Sequence, residues 1–128
     1  MERIEFEKIV ARAVRDVPEK FQTKIKNVAF LVEDEPSAQI RRREELEEDE
    51  TLLGYYQGVP NTARGDYYGI GETLPDTIII FQKPIEEEAR GDLAKIKKVV
   101  EETVWHELAH YFGMDENAVR RRENGTSI

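Results

Sequence analysis

The chain has no cysteine and only two histidines, one tryptophan and two methionines among its 128 residues. Without thiols it forms neither disulfides nor thiolate ligands, so any metal site must be built from nitrogen and oxygen. No apolar run approaches the length needed to cross a bilayer. Residues 1–17 alternate charged and apolar side chains where a secretory leader needs a continuous apolar core. These absences predict a cytoplasmic protein with no membrane partner. The formal net charge of −8, from 19 basic and 27 acidic residues, predicts no nucleic-acid partner, because phosphate repels such a surface. The basic clusters at 41–43 and 120–122 are each followed by acids and read as solvated helix faces.

What is present fits one soluble globular domain over residues 1–128, with 123–128 a loose tail: 39% of the residues are hydrophobic, enough for a modest core. The most informative stretch is 99–116, V-V-E-E-T-V-W-H-E-L-A-H-Y-F-G-M-D-E. His106, Glu107 and His110 form H-E-x-x-H, and on a helix the four-residue spacing stacks both imidazoles on one flank. Two neutral imidazoles on successive turns present converging lone pairs, the arrangement that zinc takes. Glu107, one step away, is then the candidate catalytic base, drawing a proton from a metal-bound water. Gly113 is placed to end the helix, so that the chain beyond it can swing back. Glu116 is the tenth residue after the first histidine and the leading candidate for third ligand, with Asp115 the alternative, since Asp115 also suits the N-cap of a short last helix.

Read in order, residues 4–17 carry Phe6, Ile9, Val10, Ala13, Val14 and Val17 at helical spacing, and Pro18 interrupts them. Residues 27–33 predict a strand apolar on both faces, which belongs inside a sheet. The charged stretch 38–50 reads as a frayed helix or an exposed loop. Residues 51–57 predict a second strand, and the glycine-rich stretch 62–71 a loop or irregular hairpin. Tyr55, Tyr56, Arg64, Tyr67 and Tyr68 are candidates for cleft walls or an oxyanion donor, although for any one tyrosine, covering the core is the simpler role. T-I-I-I-F at 77–81 is the strongest strand by composition; at a sheet edge it can hold an extended peptide, and in the centre it is buried. Residues 84–90 predict one or two helical turns. Gly91 then breaks the chain, Asp92 caps, and a long helix runs from 93 to about 112, with Leu93, Ile96, Val100, Val104, Leu108 and Tyr111 on its core stripe.

Three segments, L-L-G-Y-Y-Q-G at 52–58, L-P-D-T-I-I-I-F-Q-K-P-I at 74–85 and V-W-H-E-L-A-H-Y-F-G-M-D-E at 104–116, resemble in order and spacing a family of minimal zincin-like proteins described as zinc metallopeptidases. The resemblance implies an α+β fold, compact and zincin-like, with a small mixed β-sheet packed by helices and the H-E-x-x-H helix on its face. It also implies one Zn2+ per chain on His106, His110 and the acidic residue after Gly113, with Glu107 as base.

Two classes of function follow. The main expectation is a zinc-dependent metallopeptidase that takes peptide or unfolded protein as substrate, with a protein partner completing its small cleft. The alternative is a non-catalytic zincin scaffold that binds a protein partner or uses metal only structurally.

Overall fold

Four consecutive apolar residues at 78–81 must hide side chains on both faces of a sheet, because successive residues of a strand point in opposite directions. The computed structural model, which describes residues 1–58 and 75–113, shows how they do so. Helices α1 (Arg3–Arg15) and α2 (Glu19–Gln22) precede strand β1 (Val28–Glu33). Helix α3 (Ala38–Arg43) leads to β2 (Gly54–Gln57). Strand β3 (Asp76–Phe81) then runs directly into α4 (Gln82–Glu88), and α5 (Leu93–Tyr111) follows.

The three strands form a mixed sheet in the order β1-β3-β2, with β1 parallel and β2 antiparallel to β3. Ile78 and Ile80 turn toward the main core of α1, α4 and α5, where Phe6, Ile85, Val100 and Leu108 are fully buried. Ile79 and Phe81 turn to the other face and meet Ile40 of α3. A central strand covered on both sides accounts for the apolar run, and the expected α+β fold with a small mixed sheet is the one observed.

Two expectations are corrected. β1 lies at an edge, not inside the sheet, and its Leu31 is 45% exposed. Val28, Phe30 and Val32 pack on the main core, so the apolar character of its second face is not used for burial by the described residues. Leu93 does not join the core stripe of α5; it sits in the first turn and is exposed. The charged stretch after β1 resolves into α3 because the Ser37 hydroxyl accepts from the Ile40 amide at 3.2 Å and supplies the N-cap.

Candidate functional site

Helix α5 is bounded by the residues its sequence predicts. The Asp92 carboxylate accepts from the Lys95 amide at 3.0 Å, and Gly113, at φ +80°, takes the left-handed conformation past the last turn. Between these ends, Ile96, Val100, Val104 and Leu108 are buried. The spacing that commits this stripe to the core turns His106 and His110 to a flank, where both are half-buried with ring centroids 4.9 Å apart and planes at 65°.

Glu107 lies between the flank and the core and is only 8% exposed. Its position depends on β2. The register pairs Gly54 with Ile80 and Tyr56 with Ile78, so both turn to the face that α5 covers. Gly54 meets the helix backbone-first: a Cβ there would lie 3.1 Å from Cγ of Glu107 and 2.7 Å from Cγ2 of Thr103. Two residues on, Tyr56 packs edge-to-face with Tyr111 at 6.1 Å. Strand β2 therefore runs alongside the last two turns of α5, in the same direction.

This close approach forms a cleft of about 300 Å³ between residues 51–54 and Val99, Glu102, Thr103, His106 and Glu107 of the helix. Its floor is mixed. Leu52, Leu53 and Val99 are apolar, while Glu102 and Glu107 bring carboxylates and His106 an imidazole. The Thr103 hydroxyl donates to the Val99 carbonyl at 2.7 Å, which satisfies it within the helix.

The remaining candidates are dispersed. The Tyr55 hydroxyl donates to Glu44 Oε2 at 3.2 Å, and its ring packs with the smaller core on the face away from α5. The Tyr56 hydroxyl donates to Asp76 Oδ2 at 2.8 Å beside the main core. Arg64, Tyr67, Tyr68, Asp115 and Glu116 lie outside the described residues. Sequence reasoning missed Gly54 and Thr103 as the pair that sets the cleft. A glycine inside a strand pattern was the available signal, since it marks close backbone approach.

The zinc expectation is corrected here. Among the described residues, no group of three or more His, Asp or Glu side chains converges to hold a metal ion, and the chain has no cysteine to add. His106 and His110 provide two nitrogens, whereas zinc sites use at least three protein ligands. Glu107 lies close under β2, its Cγ 3.1 Å from where a Cβ on Gly54 would stand. The expected Zn2+ cofactor, the zinc-metallopeptidase function and the role of Glu107 as base to a metal-bound water are therefore not supported by the described residues, which fit the alternative of a scaffold better.

Residues 25–126 match the protein family described as zincin-like metallopeptidase. No curated protein matches the chain. Among solved structures, the chain is similar to a conserved hypothetical protein from the bacterium T. thermophilus. The two share 26% identity over 88% of this chain and 94% of that one, with a TM-score of 0.58.

Proposed function

The chain belongs to the zincin-like metallopeptidase family, and on that premise we propose that it uses the frame of that family to bind a partner polypeptide without cutting it. Family membership carries a fold, and a reaction has to be argued from the site. The observation that carries this reading is the cleft between residues 51–54 and α5, where Leu52, Leu53 and Val99 stand beside the His106–Glu107 pair. A cleft of this kind seats an apolar side chain and offers polar groups that fix its orientation. His106, which lines the cleft, acts as a recognition residue through its ring face and edge. Glu107, buried beneath Gly54, serves the architecture of the cleft.

No described helix is long and apolar enough to cross a membrane.

The test is selection of binders from a displayed random-peptide library, followed by binding measurements and mass spectrometry of the recovered peptides. The proposal expects enriched peptides with an apolar anchor and Kd of about micromolar order, recovered intact. Leu53→Asp and His106→Ala should each weaken binding about tenfold, with Glu107→Gln close to wild type. Peptides cleaved on incubation, or a library with no enrichment, would overturn it.

A further inference from the structure

A larger cleft lies elsewhere among the described residues, along the edge of β1. It measures about 620 Å³ and runs between the outer flank of α1 and the edge strand, past Ala11 and Leu31. Among the described residues β1 pairs only with β3, and of its outward backbone groups the Val32 carbonyl accepts from Arg3 Nη1 at 3.0 Å. Leu31, 45% exposed, adds apolar surface to this groove. Natural sheets blunt such edges with proline or charge within the strand. Here V-A-F-L-V-E has neither until its last residue.

The charges around the groove are polarised. Arg3, at the start of α1, donates to the Val32 carbonyl at 3.0 Å, so α1 begins where β1 ends and the two run antiparallel. One end of the groove thus carries Glu7 and Glu33, and the other carries Arg15. Lys26, two residues before β1, is exposed. Glu7 and Arg15 stand four residues on either side of Ala11, so they share its flank of the helix.

We propose that this face is a homodimer interface, in which a second copy of the chain docks about a two-fold axis near Ala11 and Leu31. A two-fold axis perpendicular to α1 and β1 sets each of them antiparallel to its copy. Glu7 of each chain then faces Arg15 of the other, and the small Ala11 lets the two α1 helices approach. The β1 edges then lie antiparallel on either side of the axis, with each Val32 carbonyl kept by Arg3 of its own chain. Lys26 comes beside the acidic end of the partner's β1. A polarised face of this kind repels itself in parallel and attracts itself only when reversed. The net charge of −8 opposes association at long range but is screened beyond roughly 8 Å at physiological salt, so the paired charges at the contact decide.

Sedimentation equilibrium on the full chain tests this. The wild type should be a dimer. Glu7→Arg and Arg15→Glu, both at exposed positions, should each weaken dimerisation by roughly tenfold, because each change spoils two symmetric pairs. The double variant Glu7→Arg/Arg15→Glu should restore it. Leu31→Lys should give a folded monomer, with the fold checked by circular dichroism. A wild type that stays monomeric at the highest soluble concentration overturns the proposal. So does a dimer that these variants leave intact, or one that the double variant fails to restore.

Discussion

Gly54 on β2 and Thr103 on α5 approach so closely that a Cβ on the glycine would lie 2.7 Å from the threonine Cγ2. The strand can lie against the helix only because one of the two residues has no side chain. Gly54→Ala should therefore destabilise the protein by about 1–3 kcal/mol, the cost of overpacking. Thr103→Ser removes the obstructing methyl but keeps the hydroxyl that donates to Val99, so the double variant should recover part of the loss. Urea denaturation of the four proteins measures this; simple additivity would show that the contact is not the cause.

Leu108 is fully buried one residue beyond Glu107, whereas Leu93 on the same helix is 51% exposed. Leu108→Ala should cost about 2–5 kcal/mol through lost burial and the cavity left behind, and Leu93→Ala within about 0.5 kcal/mol of zero. Equal losses in thermal or chemical unfolding would contradict this placement of the helix.

The Tyr111 hydroxyl donates to the Lys26 carbonyl at 2.8 Å and accepts from the Lys26 amide at 3.1 Å, fastening the end of α5 to the segment before β1. Tyr111→Phe removes both bonds and keeps the ring against Tyr56. The expected cost is about 1–2 kcal/mol, with faster hydrogen exchange at the Lys26 amide. Unchanged exchange at that amide would mean the bond is not formed in solution.

A ligand that binds only the native state raises its stability. Because the described residues bring no three metal-binding side chains together, neither zinc nor a chelator should move the thermal midpoint. A rise of several degrees with one equivalent of zinc, reversed by chelator, would falsify the non-metal reading.

Much of α5 was legible because its determinants are local. Asp92 as cap, Gly113 as terminator and the 3.6-residue spacing of Ile96, Val100, Val104 and Leu108 each act within a turn or two. The same holds for the break at Pro18 and for the strand expected at 77–81 and found at Asp76–Phe81. The position of β1 was not legible. A strand apolar on both faces is compatible with the centre of a sheet, and only the pairing of β3 with both neighbours put β1 at the edge. The cleft was hidden for a related reason: Gly54 and Thr103 are far apart in sequence and meet only through the register of β2 on β3.

The sequence by itself determined the long helix after Asp92 and the strand before Gln82, that His106 and His110 share a flank, and that no thiol is available for chemistry. Those properties follow from short-range sterics, helix periodicity and composition. Tertiary structure alone decided that Glu107 is buried beneath a glycine, and that the two histidines are joined by no third ligand among the described residues. It also decided that the open edge of the sheet carries opposite charges at its two ends. Each of these depends on distances between residues far apart in the chain, and packing sets those distances.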